Sequence, residues 1–256
     1  MYGQLSPESP DQHKDLQRWL LVELGGSSTQ TVQVDPHGRF VFTSGFVHDP
    51  GRLVALACPG LIRAGRVLYA TNLGWPDDAD PAHELGVESV AILENDARAA
   101  GLGESILRSG KEPALDLVYI NLGTGVGDAH VIDGRASHLD LAHHQVGGDA
   151  YCTGCRSVGC LNAYLCSQHL PTPLSADDQL FVARLLSAVL RDMAIGEHLP
   201  VVLGGGITRR YPAIVSLLGS LIPNATEPTA APDEAKSAAY AGLAYLASRH
   251  TSPTMH

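Results

Sequence analysis

The sequence predicts an α/β protein in which short apolar strands alternate with helices. Two observations carry this prediction: apolar runs of strand length end in glycine-rich turns, and apolar residues recur at near-helical spacing over residues 177–190. The chain has 256 residues, which is enough for one large domain or two small ones with a substantial core. In folds of this class, ligands are expected where the strands end.

The predicted elements follow one another from residue 19 onward. An apolar strand, a glycine turn and a second strand form a hairpin, and the turn signal at residues 35–38 returns the chain into a third strand. Further apolar runs predict the remaining strands, and alanine- or leucine-rich segments predict helices. The predicted strands are 20–24, 29–34, 40–43, 53–57, 89–93, 117–121 and 200–203, and the predicted helices are 97–107, 177–190 and 235–246.

The charge balance argues against nucleic acid as a partner. The chain has 17 basic and 27 acidic residues, a net charge of −10, with no basic cluster, whereas a surface that binds a phosphate backbone needs clustered Lys and Arg. The first residues lack the pattern of a signal peptide, and no apolar run approaches the roughly 18 residues of a membrane span. We therefore expect a cytoplasmic protein with no membrane partner, whose five cysteines are thiols or metal ligands.

Three glycine-rich turns each follow an apolar strand. Glycines let a backbone approach an anion closely and point successive N–H groups at it. One such turn alone is more often a tight turn without a ligand, but three in one short chain favour nucleotide binding, although none matches a P-loop or a Rossmann fingerprint. The candidate nucleotide-binding residues are Gly25, Gly26, Ser27, Ser28, Gly123, Thr124, Gly125, Gly204, Gly205 and Gly206.

Asn95 and Asp96 stand at a junction between a predicted strand and a predicted helix. In phosphoryl transfer a carboxylate can accept the proton of the attacking hydroxyl, so Asp96 is the candidate catalytic base and Asn95 a hydroxyl-binding neighbour. Either residue could instead only cap the helix that follows, because Asn and Asp are both good N-caps. Together with the glycine turns, the segment favours the catalytic interpretation.

Three cysteines and a histidine predict a zinc site. Cys152, Cys155 and Cys160 lie close together in the chain, and His143 precedes them, with His144 as the alternative histidine. Four such ligands suffice for a closed tetrahedral Cys₃His site, which would stabilise a loop rather than activate water. The alternative is a set of unrelated buried thiols.

These motifs resemble the ROK family of repressors, open reading frames and kinases. The resemblance covers roughly residues 21–247 and rests on the glycine turns, the Glu-Asn-Asp-Ala segment that begins at Glu94, and the spacing from His143 to the cysteines. It implies a two-domain actin-like ATPase fold of the ribonuclease H-like type, with a structural zinc loop. The implied units are a small N-terminal α/β domain (18–98), a larger α/β domain with the zinc loop (99–235) and a C-terminal helix (236–256) that returns to the N-terminal domain.

The resemblance also implies an ATP-dependent kinase for the primary hydroxyl of a hexose or hexose derivative, such as glucose, an N-acetylhexosamine or an amino sugar. Asp96 would be the base, Zn²⁺ would be structural, and Glu23 would hold the Mg²⁺ that accompanies ATP through water. A homodimer is expected. The implied sugar ligands are Asn95, Asp140 and His143, with Gly60, Asn72 and Asn162 as further candidates.

The sequence departs from the family pattern at several positions. Asn162 replaces a glutamate that contacts sugar hydroxyls, Glu23 replaces the usual aspartate, and the first two cysteines are spaced Cys-x-x-Cys rather than Cys-x-Cys. The chain also lacks room for a helix between residues 46 and 53. These departures keep a second hypothesis open, a non-catalytic sugar sensor or pseudokinase, and the donor could be polyphosphate rather than ATP.

Overall fold

The computed structural model describes residues 14–110, 112–195, 198–229 and 235–250. The strands of these segments are β1 (Trp19–Leu24), β2 (Thr29–Val34), β3 (Phe40–Ser44), β4 (Leu53–Cys58), β5 (Leu61–Arg63), β6 (Arg66–Tyr69), β7 (Ile92–Asn95), β8 (Leu117–Leu122), β9 (Val126–Ile132), β10 (Arg135–Ser137), β11 (Val201–Gly204) and β12 (Ala225–Thr226). The main helices are α1 (Pro81–Leu85), α2 (Asp96–Ser109), α3 (Leu161–Leu165), α4 (Ala176–Asp192), α5 (Gly206–Arg210), α6 (Ala213–Leu221) and α7 (Ala239–Arg249), with a 3-10 turn at Leu141–His143.

Two five-stranded sheets with the same topology form the framework. The first has the order β3-β2-β1-β4-β7 and the second the order β10-β9-β8-β11-β12. In each sheet the first three strands along the chain pair antiparallel. The fourth strand, β4 or β11, pairs parallel with the first, and the fifth, β7 or β12, pairs parallel with the fourth. Each half of the chain therefore repeats one plan: a meander followed by parallel strands, which need crossover connections. The structure confirms the predicted α/β class.

Helices α2 and α7 lie between the two sheets. Helix α7 packs on β1 and β4, α2 packs on β8 and β9, and the two helices pack against each other. One apolar core joins both sheets through this helix pair. The helices cross closely, because a Cβ on Gly103 would collide with the carbonyl oxygen of Ala238, and a Cβ on Gly242 with that of Ala99.

The carboxyl ends of the parallel strands meet at one opening. In the first sheet Cys58 pairs with Asn95 across β4 and β7, and in the second sheet Asn121 pairs with Gly204 across β8 and β11. Because parallel strands end at the same edge of a sheet, the glycine turns and Asp96 face a shared cleft.

Tertiary contacts set the ends of two elements that the sequence placed differently. Strand β7 covers Ile92–Asn95 rather than 89–93, because its ladder with β4 begins at the pair of Ala55 with Ile92. Helix α7 begins at Ala239 rather than at 235. Ser237 Oγ accepts the N–H of Ala239 at 3.0 Å, at the start of the helix.

The division into units stays a prediction. The boundary expected between residues 98 and 99 falls inside α2, and α7 packs on β1 and β4 of the first sheet. Residues 251–256 of the last unit lie outside the described residues.

No helix in the described segments is both long and apolar enough to cross a bilayer.

Candidate active site

A cleft of about 310 Å³ opens between the two sheets. Most of the residues that the sequence singles out line it, although they come from distant parts of the chain. They are Glu23, Gly25, Gly26, Ser27, Ser28, Gly60, Asn72, Asn95, Asp96, Gly123, Thr124, Gly125, Asp140, His143, Asn162, Gly205 and Gly206. Gly204 and the three cysteines of the proposed zinc site are not part of this wall.

The two hairpin turns approach each other across the cleft. A Cβ added to Gly26 would lie 2.8 Å from Thr124 Oγ1 and 3.0 Å from Asn72 Cβ, and a Cβ on Gly125 would lie 3.6 Å from Asn72 Nδ2. Glycine is therefore the residue that lets the turns come this close. Asn72, a candidate sugar ligand in the sequence, lies between the two turns.

The third turn needs glycine for a different reason. Gly205 has a φ of +104°, and a Cβ there would collide with the carbonyl oxygen of Leu122. Gly206 then begins α5, and this short helix carries Arg209 into the cleft wall. Gly204 lies behind the turn against the ring of Tyr119.

The structure gives the capping role, which the sequence left open for either residue, to Asn95. Asn95 caps α2, because its Oδ1 accepts the N–H groups of Ala97 at 3.0 Å and Arg98 at 3.2 Å. Its Nδ2 donates to the carbonyl oxygen of Gly60 at 3.2 Å, which connects the turn after β4 to the helix start. Asp96 follows as the first residue of the helix, with its carboxylate in the cleft wall.

The electrostatic surroundings of Asp96 favour a base that works near neutral pH. Burial raises its pKa to about 6, the N–H of Ala97 lowers it, Glu23 raises it and Lys236 lowers it. Burial also raises the pKa of Glu23, against the cation of Lys236 and a hydrogen bond of 2.9 Å from Ser237 Oγ. A carboxylate with this pKa is more basic than an ordinary aspartate and is still mostly ionised at pH 7.

The predicted metal ligands form a compact group. One ligand atom each from His143, Cys152, Cys155 and Cys160 lies within 4.8 Å of the others. Cys160 Sγ is 3.8 Å from Cys155 Sγ and 3.8 Å from His143 Nδ1. A tetrahedron with Zn–S bonds of about 2.3 Å has edges of about 3.8 Å, so these donors fit zinc. His144 Nε2 instead lies 2.9 Å from a carboxylate oxygen of Asp192, which favours His143 as the ligand.

Asn162 connects this cluster to the second glycine turn. Its Oδ1 accepts the N–H of Val126 at 2.8 Å, and its Nδ2 donates to Cys152 Sγ at 3.2 Å. Burial would raise the pKa of the Cys152 thiol, but hydrogen bonds, including the one from Asn162, hold it below its usual value. A carboxylate could make only the first of these contacts, because it has no N–H to donate.

Asn162→Asp is expected to weaken metal binding by about 10–100-fold, the usual effect of losing a group that hydrogen-bonds to a metal ligand. Aspartate keeps the shape and the acceptor, but it places a negative charge beside the thiolate of Cys152. Competition between the purified protein and a chromogenic chelator measures the zinc affinity without any assay of activity. Asn224→Asp, the same change outside the cleft and the cluster, serves as the control, and equal affinities in both variants would contradict this role for Asn162.

The cleft wall also contains residues that the sequence did not single out, among them Arg209, Lys236 and Ser237. Lys236 is one of three lysines in the chain, and it stands just before an alanine-rich helix. That rarity is the signal that could have drawn attention to it. Its partners Ser28 and Gln30 are more than 200 positions away in the chain, so no local pattern indicates the contact.

Paired sheets of one topology, with a cleft between them and glycine turns from both halves, define the actin-like ATPase fold. Solved structures share it. The ROK family glucokinase from Streptomyces griseus, in complex with glucose and AMPPNP, aligns over 89% of this chain and 98% of that chain, with a TM-score of 0.64 and 21% identity. A ROK family transcriptional regulator, a homologue of the E. coli MLC protein, aligns over 91% of this chain and 81% of that chain, with a TM-score of 0.57 and 17% identity.

The sequence profile of the ROK family matches residues 47–187, more than half of the chain, so this protein belongs to the ROK family. It is 34% identical over 119 residues to the glucokinase of Halalkalibacterium halodurans, an alignment of 42% of this chain and 36% of that protein. It is 35% identical over 96 residues to the polyphosphate glucokinase of Mycobacterium tuberculosis, over 35% of this chain and 36% of that protein. The matched part of the chain therefore spans about a third of the length of these relatives.

Proposed function

We propose that this protein is a sugar kinase that transfers the terminal phosphate of ATP to the primary hydroxyl of a hexose or hexose derivative. The observation that carries the proposal is Asp96, a cleft carboxylate with a pKa raised to about 6, at the strand end that faces the glycine turns of both halves. The relatives named glucokinase and polyphosphate glucokinase support sugar phosphorylation, with polyphosphate as an alternative donor.

In this mechanism each group of the cleft has a separate task. Asp96 accepts the proton of the sugar hydroxyl while the hydroxyl oxygen bonds to the terminal phosphorus and the bond to the leaving diphosphate breaks. The N–H groups of the glycine turns hold the phosphates. Bound Mg²⁺ would neutralise phosphate charge, and Glu23 is the carboxylate that would hold it through water. Asp140 and His143 would bind ring hydroxyls; Nδ1 of His143 faces Cys160, which leaves Nε2 for the sugar.

A panel assay tests the proposal directly. Release of ADP from Mg²⁺–ATP, and formation of sugar phosphate from polyphosphate, would be followed with glucose, mannose, fructose, N-acetylglucosamine, N-acetylmannosamine and free amino hexoses. Turnover of at least one sugar, lost in Asp96→Asn, is the expected result. Silence with every sugar and both donors would contradict the proposal.

The pH dependence of kcat/KM is expected to report Asp96. Only the ionised carboxylate accepts a proton, so kcat/KM should rise about tenfold per pH unit below about pH 6 and level off above it. A profile from pH 4.5 to 8.5, at constant ionic strength and with the best sugar of the panel, measures this limb. An acid limb near pH 4, the range of an ordinary aspartate, would show that burial does not tune this residue.

A second candidate function is a sugar sensor without catalysis. The contacts of Asn162 favour it: Oδ1 and Nδ2 are both engaged within the protein, at the position where the family resemblance expects a carboxylate that contacts the sugar. Sugar binding by calorimetry, without turnover of either donor, is the result that distinguishes a sensor from a kinase.

The remaining proposals concern the state of the protein in the cell. We expect a cytoplasmic homodimer with about one structural zinc per chain, and the four clustered ligands support the zinc. Elemental analysis of purified protein measures the metal content, and light scattering measures the mass in solution. The dimer rests on the family resemblance.

A further inference from the structure

Lys236 is a cation of the cleft wall that the proposed mechanism does not use. Its Nζ donates to the carbonyl oxygen of Ser28 at 2.6 Å. A Cβ added to Gly25 would lie 2.8 Å from the same Nζ. The ammonium group therefore lies directly against the first glycine turn, where donor phosphates are expected.

Both halves of the protein hold Lys236 in this position. From the first sheet, Gln30 Oε1 accepts its backbone N–H at 2.9 Å. From α5, which follows a strand of the second sheet, Arg209 Nη1 donates to its carbonyl oxygen at 2.9 Å. Lys236 is thus fixed by contacts on two sides, and the contact with Arg209 keeps two cations in one wall of the cleft.

The charges around Lys236 are unusual for this chain. Its neighbours in the cleft are the carboxylates of Glu23 and Asp96 and the guanidinium of Arg209. Burial and Arg209 lower the pKa of Lys236, and the two carboxylates raise it. Lys236 and Arg209 therefore place two cations in the cleft wall, beside the two carboxylates, where an anionic ligand would meet them.

We propose that Lys236, together with Arg209, binds the terminal phosphate of the donor and so sets a preference for triphosphates and longer polyphosphates over diphosphates. This inference rests on the proposed function, because it concerns the donor end of the same cleft. An ammonium group has three N–H donors, and Ser28 uses one of them. Hydrogen bonds from a cation to a phosphate are stronger than neutral ones, so a donor that lacks the terminal phosphate loses this contribution.

The competing explanation is that Lys236 only neutralises Glu23 and Asp96. In that case its loss would affect all donors alike, because the charge balance of the empty cleft changes by the same amount for each. The ratio of the affinities for a triphosphate and a diphosphate separates the two explanations.

Calorimetric titration without sugar tests the proposal. Mg²⁺–ATP, Mg²⁺–ADP and inorganic tripolyphosphate would be titrated into the unmodified protein and into Lys236→Met, which keeps the length of the side chain and removes its charge. We expect Lys236→Met to weaken the binding of ATP and of tripolyphosphate by about tenfold or more, and the binding of ADP by less than about twofold. Lys236→Arg should restore most of the preference.

A pair of adjacent arginines supplies a matched control. Arg209 lines the cleft, whereas Arg210 lies over the ring of Tyr211 outside it. Arg209→Met should also reduce the preference for the triphosphate, and Arg210→Met should leave it unchanged.

Each outcome bears on one of the two proposals. An equal loss for ATP and ADP in Lys236→Met, or no loss for either, overturns the assignment of Lys236 and leaves the kinase proposal standing. A selective loss for ATP, in a protein that turns over no sugar, supports the assignment and contradicts the kinase proposal. Failure of the unmodified protein to bind any of the three compounds overturns both.

Discussion

Asp96→Asn is expected to lower kcat by about 10²–10⁴-fold, the usual contribution of a general base. Asparagine has the same shape and keeps an oxygen to accept the N–H of Ala97, which Asp96 Oδ1 accepts at 2.9 Å. It cannot take up the proton of the sugar hydroxyl. Steady-state rates at saturating sugar and donor measure the loss, and calorimetry should show that both substrates still bind.

The same variant should be at least as stable as the unmodified protein at neutral pH. The folded pKa of Asp96, about 6, lies above its ordinary value of 3.8, so its contribution to stability is full below about pH 4 and is lost as the pH rises through 6. The ionised carboxylate therefore costs the folded protein on the order of 1–3 kcal/mol at neutral pH, at 1.36 kcal/mol per pKa unit. The neutral amide of asparagine does not have this cost. Thermal unfolding should therefore show a higher Tm for Asp96→Asn at pH 8 and no difference near pH 4.

Asp133→Asn provides the matched control for Asp96→Asn. Asp133 is exposed in the turn between β9 and β10, with a φ of +49° that asparagine also adopts. Its kcat and its Tm should remain those of the unmodified protein. A kcat for Asp96→Asn within threefold of normal would remove Asp96 from the mechanism, and a fall in its Tm with loss of both substrates would make its role structural.

Cys160→Ser is expected to lower the stability of the protein more than any other substitution described here. Cys160 is fully buried, precedes α3 as its N-cap, and has its Sγ 3.8 Å from both Cys155 Sγ and His143 Nδ1. Loss of one thiolate from a Cys₃His set removes most of the metal affinity, and with it the free energy that the metal contributes to folding. The lost free energy of metal binding is several kcal/mol, and each kcal/mol lowers Tm by about 2–4 °C in a chain of this size. Tm should therefore fall by about 10 °C or more.

Cys166→Ser separates the loss of metal from the loss of a buried thiol. Cys166 is also buried and lies at the other end of α3, but it is not one of the four clustered ligands. It should keep about one zinc per chain and a Tm that changes on addition of chelator. The zinc site would be contradicted if the unmodified protein binds no zinc from a zinc-containing buffer and neither zinc nor chelator changes its Tm. The cysteines of the cluster would then be ordinary thiols.

Local signals in the sequence were enough to predict the α/β class and about half of the residues that line the cleft. Glycine turns, the Asn95-Asp96 junction and the His–Cys spacing are each readable within about 20 residues, because strand ends and turns restrict which residues fit. The register of β7 could not be predicted from the sequence, because it depends on the pairing of Ala55 with Ile92. The start of α7 depends likewise on contacts that Lys236 and Ser237 make with the first sheet.

The contacts of Asn162 and Lys236 show what no local pattern could supply. Asn162 is a candidate sugar ligand in the sequence, and in the structure its amide contacts Val126 and Cys152. Only the packed structure brings these groups to its two ends. Lys236 belongs to no periodic pattern, and its hydrogen bond to Ser28 closes a loop of 208 positions. Such contacts follow from the way the two halves pack.

The close crossing of α2 and α7 has a mechanical consequence. At Gly103 and Gly242 each helix meets the backbone of the other, so there are no interlocking side chains at these points to hold one relative position. Packed helices can move past each other by small sliding displacements, a shear. Because α2 begins with Asp96 and Lys236 leads into α7, a slide of about 1–2 Å along this surface would change the distance between the Asp96 carboxylate and the Lys236 ammonium while the core stays closed.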